Sequence, residues 1–285
     1  MRDTLRLIAS LEPMPVLVLG TDDIASAVGH ALASAGFNTV LARDPDLPVL
    51  RRAMSFDDAL DFGSARLDGV TGYALDPPFR YAGAGRLGLT ALEPDELLDP
   101  ALIEGVIDAR MHRREEKPDL RGDLGFAIGL GPGFRAGDNV DIAIETAPEA
   151  TGRILRRGET IPAHGKSAPL GGVGRQRFGR APCGGTWRTH HNIGDAVEAG
   201  ALVGLCGGAP IEAPISGCLR GLVQHGSSVR SGMRLLEVDP RGPAAQWSGI
   251  PPRAVRIAAA TLTAVRELMG VSRPALRPEV VSWLA

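Results

Sequence analysis

The hydrophobic pattern is clearest over residues 124–146, LGFAIGLGPGFRAGDNVDIAIET. The apolar run at 126–130 has the length of a buried parallel strand. It empties into Gly129-Leu130-Gly131-Pro132-Gly133-Phe134. Three glycines and a proline so close together cannot continue a helix or a central strand. They predict a tight turn whose backbone can approach a ligand closely, or one needed for packing alone. Residues 139–145 then alternate through Val140, Ile142 and Ile144, which predicts a second strand ending on Glu145. Ligands of open α/β sheets bind at that carboxyl edge.

The chain opens in the same style. Pro15-Val16-Leu17-Val18-Leu19-Gly20 predicts a strand, and Thr21-Asp22-Asp23 supplies helix caps. Ile24, Ala27, Val28, Ala31, Leu32 and Ala35 fall at helical spacing, Gly36 stops the helix, and residues 38–42 give the next strand. This βαβ unit predicts a Rossmann-like start. The dinucleotide fingerprint is incomplete, because Asp22 and Ala25 stand where glycines are needed. Acids beside the helix N-terminus would also repel a pyrophosphate. Residues 67–70 read as a short strand or turn, 76–86 as a Pro/Gly-rich stretch, and 106–111 as a strand with a polar end.

After Glu145 the pattern changes. Residues 147–180 are rich in Gly and Pro and locally basic, with Arg153, Arg156, Arg157, Lys166, Arg175, Arg177 and Arg180. They predict a connector with a hairpin at 152–161. A repeat follows. Ala181-Pro182-x-x-Gly185 recurs as Ala213-Pro214-x-x-Gly217, and Gly194, Val197 and Gly200 recur as Gly226, Val229 and Gly232. Every pair is offset by 32 residues (181 to 213, 185 to 217). Such regularity signals a duplicated supersecondary unit of short strands. Asp239-Pro240-Arg241-Gly242 predicts a turn. A helix from 252 to 269 follows, and it would pack on the N-terminal domain or on a second copy of the chain. Residues 274–285 form a tail.

The length of 285 residues leaves room for two domains, and 44% hydrophobic with 22% charged residues is a globular balance. A net charge of -2 provides no basic field for nucleic acid or anionic lipid. The N-terminus has no apolar run long enough for a signal peptide or a span, so a cytoplasmic protein with no membrane partner is expected. Cys183, Cys206 and Cys218 contain no C-x-x-C pair, which fits a reducing compartment. With His190, His191 and His225 they lack the tight ligand spacing of structural zinc, so no metal site is expected. No nucleophile stands out, and catalytic residues stay unassigned.

Candidate chemistry sits at strand ends. Asp108 and Arg110 share a face if their strand continues through them, as an ion pair or as a binding pair. Arg51-Arg52 precede Ser55, a candidate helix cap with Asp58 at its third helical position. The arginines could hold a phosphate or form a solvated pair. The run at 112–117 reads as a solvated loop.

These motifs together resemble the YqeB-type accessory proteins of selenium-dependent molybdenum hydroxylase systems. The resemblance is carried by Arg51-Arg52-x-x-Ser55-Phe56-x-x-Ala59, Asp68-Gly69-Val70, Val106-Ile107-Asp108-Ala109-Arg110-Met111, the loop from Ile128 to Gly137, Ile144-Glu145-Thr146, Gly217-x-Leu219-Arg220-Gly221-Leu222 and Asp239-Pro240-Arg241. It runs from about residue 15 to about residue 268. The N-terminal half is similar to XdhC-type maturation factors, which handle the molybdenum cofactor. The duplicated segment is similar to biotinyl and lipoyl carrier barrels. Its tip, Leu205-Cys206-Gly207-Gly208-Ala209-Pro210, lacks the modified lysine, so biotin and lipoate are not expected. The chain departs from the family at Leu19-Gly20-Thr21-Asp22-Asp23, at His112-Arg113-Arg114 and at Glu145-Thr146-Ala147-Pro148, each a candidate ligand edge.

The expected fold is an α/β Rossmann-like domain (1–147), a basic connector (148–180), a mostly β duplicated barrel-sandwich domain (181–240), and a C-terminal helix and tail (241–285). The resemblance implies an accessory protein for maturing a molybdenum hydroxylase. It would bind a phosphate-bearing ligand, the molybdenum cofactor in nucleotide form or a nucleotide. Gly129, Gly131, Pro132, Gly133 and Phe134 would cradle the phosphate, helped by Arg110, Arg51 and Arg52, with Asp108 and Glu145 orienting the ligand. The hydroxylase apoenzyme and a second copy of the chain are the expected partners. The alternatives are an NAD(P)-dependent oxidoreductase and a non-catalytic scaffold.

Overall fold

The computed structural model describes residues 2–11, 13–75, 87–112, 116–163 and 168–270. The Pro/Gly-rich stretch at 76–86, Arg113 and Arg114 of the charged run, Lys166 and the tail at 274–285 lie outside the described residues. The chain divides into two compact units, both discontinuous in sequence. The first draws on residues 1–44, 55–164 and 250–285, the second on 45–54 and 165–249. This differs from the contiguous division expected at 147, 180 and 240. Residues 45–54 leave the first unit and add Leu50 to the core of the second, whereas the C-terminal helix returns to the first.

The first unit contains α1 (Arg2–Ala9), β1 (Val16–Leu19), α2 (Asp23–Ser34), β2 (Thr39–Ala42), α3 (Ala59–Phe62), β3 (Ser64–Leu67), β4 (Val70–Ala74) and β5 (Leu87–Thr90). It continues through α4 (Pro94–Leu97), β6 (Gly105–Asp108), β7 (Phe126–Leu130), β8 (Arg135–Ala136), β9 (Ile142–Ile144), β10 (Ile154–Leu155), β11 (Gly158–Glu159) and α5 (Pro252–Leu268). Its nine-stranded sheet has the order β10-β9-β7-β6-β1-β2-β5-β4-β3. All neighbours are parallel except the edge strands β10 and β3.

The Val-Leu-Val-Leu run of β1 explains why both faces are covered. Successive side chains point to opposite faces. Val16 and Val18 enter a core shared with Ile24, Val28 and Leu32 of α2 and Ile257, Leu262 and Val265 of α5. Leu17 and Leu19 enter a second core with Ile8, Leu11, Val106 and Phe134. The first-face helices pack on each other as well as on the sheet. α1 lays Ile8 into the second core, with Leu5 and Leu7 packed against it.

Several local expectations change. Residues 64–74 form the hairpin β3–β4, with Asp68 (φ 42°) and Gly69 (φ 89°) at its turn. The expected hairpin at 152–161 is absent, because β10 pairs with β9 and β11 with β8. Ser55 does not cap α3, whose N-cap position is Asp58, and the Ser55 hydroxyl accepts from the Asp57 N–H at 3.3 Å instead. The strand through Asp108 stops there, and Met111 turns away at φ 58°.

The second unit contains β12 (Phe178–Arg180), β13 (Gly185–Thr189), β14 (Ala196–Val197), β15 (Leu202–Cys206), β16 (Ala209–Glu212), β17 (Gly217–Leu222), β18 (Ser228–Val229) and β19 (Arg234–Asp239). They make two four-stranded antiparallel sheets, β12-β19-β17-β14 and β16-β15-β13-β18. The second order is the first with the two copies of the repeat exchanged. Gly185 pairs with Val229 and Gly217 with Val197, the same contact seen from each copy. Each copy therefore lends its short Val-containing strand to the other copy's sheet, so neither half can complete a sheet alone. Gly185 (φ 151°) and Gly217 (φ 156°) occupy equivalent left-side backbone positions that other residues rarely adopt. Trp187, Leu219, Leu222, Leu236 and Val238 fill the core between the sheets.

Candidate functional site

In the first unit, β1 leads through α2 to β2 on one side, and the chain later sets β6 on its other side. The strand order thus reverses between β1 and β6. In open α/β sheets a crevice forms at the carboxyl ends of such a pair. Gly20 follows β1 at φ 111°, and a Cβ there would stand 3.4 Å from the Ala109 backbone that follows β6. Its positive φ, which other residues rarely adopt, is what calls for glycine at this turn.

The polar residues after each strand are held in place by one another. Thr21 donates from its hydroxyl to Asp57 Oδ1 at 2.6 Å. Arg43, after β2, donates through Nε to Asp57 Oδ1 at 2.9 Å and through Nη2 to Asp61 Oδ2 at 3.0 Å. Burial alone would lower the Arg43 pKa, but Asp57 and Asp61 outweigh it and raise the pKa. Asp57, Asp58 and Asp61 offer carboxylate oxygens within 4.8 Å of one another. The Arg43 guanidinium already supplies positive charge to Asp57 and Asp61. His112 is buried, not part of a solvated loop, and its Nε2 lies 2.6 Å from Asp44 Oδ2. Arg43 directly follows the apolar run of β2, which was the available signal for it; Thr21 and His112 carry no such mark in the sequence.

The expected ligand residues behave differently from one another. Asp108, Arg110, Gly129, Gly131, Pro132, Gly133, Phe134 and Glu145 gather at the ends of the adjacent strands β6, β7 and β9. Arg51 and Arg52 belong to the second unit. There the Arg51 Nε donates to Glu237 Oε2 at 2.7 Å. Arg51 thus pairs with a fully buried carboxylate while its own side chain stays 23% exposed.

The glycine loop is a packing turn. The Gly131 N–H donates to Ile144 O at 3.0 Å, so it is not presented to a phosphate. Phe134 is buried, and a Cβ on Gly129 would overlap its ring. Burying that phenyl ring stabilises the unit by roughly 2–3 kcal/mol. Pro132 and Gly133 border a cleft of about 590 Å³ with Glu116, Lys117, Asp119, Arg135, Asp138 and Glu159 among its other lining residues. Carboxylates outnumber cations in that lining, an unfavourable field for a phosphate.

Glu145 is likewise occupied. Oε1 accepts from the Thr146 N–H at 2.6 Å and the Ala147 N–H at 2.7 Å, and Oε2 accepts from the Ile161 N–H at 2.6 Å. These bonds fasten the chain beyond β9. Asp108 and Arg110 form a clamp: Arg110 donates to Asp108 from its backbone N–H, from Nε at 3.1 Å and from Nη2 at 2.6 Å. Asp119 with Arg121 and Asp239 with Arg241 repeat this arrangement. The pairing comes from a turn after the Asp, where the expectation was a pleated strand. The Asp108 side chain is fully buried, while that of Arg110 remains 19% exposed at the crevice. At α2, Asp22 accepts from the Ile24 and Ala25 N–H groups at 2.9 and 3.0 Å. The free donors that would hold a pyrophosphate are already capped.

No protein-family model matches the chain. It is similar to the uncharacterized protein YqeB of Escherichia coli (strain K12), with 29% identity over 259 residues. The match covers 89% of this chain and 48% of YqeB, so the chain spans about half the length of the curated relative it matches. Solved structures are more distant. The ectoine utilization protein EutE (DoeB) from Ruegeria pomeroyi shares 20% identity, with 30% of this chain and 27% of that chain covered and a TM-score of 0.21. An aspartoacylase family protein from Mesorhizobium loti shares 10% identity over 81% of this chain and 86% of that chain, with a TM-score of 0.28. Among the described residues, no helix is long and apolar enough to cross a membrane.

Proposed function

We propose that this chain is an accessory protein for maturing a molybdenum hydroxylase, and that its first unit binds a phosphate-bearing ligand at the carboxyl edge between β1 and β6. The ligand is the molybdenum cofactor in nucleotide form, or a nucleotide. The maturation role rests on the motif resemblance, and the ligand site rests on the reversal of strand order at β1 and β6. The donor set there fits one phosphate group reached by a side chain. Arg110 is partly exposed, and its clamp with Asp108 holds the guanidinium in a fixed orientation. It does not fit a pyrophosphate held by backbone N–H groups, because Asp22 caps α2 and Ile144 takes the Gly131 N–H. The same feature counts against the diphosphate of NAD(P) and equally against that of a dinucleotide form of the cofactor, so it does not separate the two readings. When bound, the cofactor would supply its pterin and metal chemistry to the client enzyme. The residues of this chain would bind and orient it.

Docking of the hydroxylase apoenzyme is assigned to the second unit. Leu202 and Leu205 of β15 are 56% and 40% exposed, apolar positions suited to a protein partner. The test is the mass and absorbance of small molecules released from protein purified from molybdate-supplied cells, with Arg110→Gln alongside. A pterin nucleotide lost in the variant supports the reading. Released NAD(P) would transfer support to the oxidoreductase. Full hydroxylase activity in a strain lacking the protein would end the maturation reading.

A further inference from the structure

The pairing of β13 with β15, both from the first copy of the repeat, brings two cysteines together. Cys206 ends β15, and Cys183 lies just before β13, the strand with which β15 pairs. The contact is reciprocal. The Cys183 thiol donates to the Cys206 carbonyl at 3.5 Å, and the Cys206 thiol donates to the Cys183 carbonyl at 3.4 Å. Each sulfur therefore lies beside the other residue's backbone, and both side chains occupy the space between two adjoining chain segments. Small residues allow the approach. A Cβ on Gly185 would stand 2.8 Å from the Gly207 Cα, and one on Gly207 would stand 3.2 Å from the Cys183 sulfur. Cys218 is elsewhere in the unit, donating to the Gly194 carbonyl.

We propose that Cys183 and Cys206 form a reversible intramolecular disulfide by exchange with a small disulfide such as oxidised glutathione, making this pair a modification site of the second unit. The bond would staple the segment before β13 to the tip joining the two copies of the repeat. Cys183 is half-buried and Cys206 fully buried, which sets the order of events. The Cys183 thiolate attacks one glutathione sulfur, the glutathione disulfide breaks, and one glutathione thiolate leaves. Cys206 then loses its proton and attacks the Cys183 sulfur, expelling the second glutathione. Two protein thiols are oxidised, one glutathione disulfide is reduced to two thiols, and the two protons end on the glutathiones. Burial, with the neighbouring Cys183 thiol adding to it, pushes the Cys206 pKa up. Closure therefore accelerates as pH rises.

The experiment treats the full chain with oxidised glutathione across a pH series and digests it without reduction. Trypsin and a glutamate-specific protease, cutting after Arg188 and Glu212, place the three cysteines on separate peptides. The expected result is a Cys183–Cys206 linked peptide, with free thiols falling from three to one and closure faster at higher pH. Dithiothreitol should restore all three. Cys206→Ser should stop at a glutathione adduct on Cys183. If the wild type also stops at the adduct, links through Cys218, or does not react, the proposal is overturned. Because the wild type carries the main result, it does not depend on how well the variant folds.

Discussion

Arg177 Nε donates to Glu237 Oε1 at 2.9 Å inside the second unit, with side chains only 5% and 0% exposed. Arg51 and Arg220 reach the other oxygen of the same carboxylate at 2.7 and 3.4 Å. Burial by itself would push the Glu237 carboxyl up. The guanidiniums, Arg51 foremost, overcome this and bring its pKa from 4.5 to about 2. The native pKa lies below the unfolded one. The resulting stabilisation is therefore complete above about pH 4.5 and is lost as pH falls toward 2. It amounts to roughly 3 kcal/mol, the free energy equivalent of such a shift. Thermal melts between pH 6 and 2 should show the second unit losing stability in this window. Glu237→Gln should flatten that pH dependence and destabilise the unit at neutral pH by about 3–5 kcal/mol, since it leaves buried arginines without their anion. Equal pH profiles for variant and wild type would contradict this role.

Gly129 faces the ring of Phe134 from within β7. Gly129→Ala should destabilise the first unit by up to about 3 kcal/mol, the upper range for overpacking a closed core. Phe134→Leu in the same chain should recover part of the loss by making room. Urea titration of each single variant and of the double variant checks the coupling, and strictly additive effects would show that the ring and the glycine are not in conflict. A loop presented to a ligand would instead lose binding with little loss of stability.

Asp22 satisfies two N–H groups at the start of α2. Asp22→Ala should cost about 1 kcal/mol through the lost cap. It also removes a negative charge from a helix N-terminus, so inorganic phosphate should raise the Tm of the variant more than that of the wild type. An equal response from both proteins would mean that Asp22 does not keep this terminus closed to anions.

Much of the secondary structure was legible because it depends on short-range pattern. The apolar runs mark β1 and β7, and the helical spacing and stops mark α2 and α5. The repeat was legible at its glycines, which recur at backbone positions of similar φ in both copies, Gly194 at 99° and Gly226 at 89°, Gly200 at 81° and Gly232 at 83°. The candidate site was less legible. Residue type alone gives Glu145, Arg51 and Asp108 the same standing as ligand groups. Their hydrogen bonds divide them: Glu145 holds backbone N–H groups, Arg51 holds Glu237, and Asp108 holds Arg110. His112 shows the reverse, a buried residue inside a run of charges that reads as solvated.

By itself the sequence determined where strands, turns and helices could form and that residues 181–238 repeat, because those properties follow from neighbours a few residues apart and from a fixed period. Only the tertiary structure decided that residues 45–54 join the second unit and that β14 and β18 exchange between the copies. It alone paired Arg51 with Glu237, 186 residues away. The physical reason is that a buried charge or N–H group must find a partner wherever the fold places one. No local pattern records which distant residue that will be.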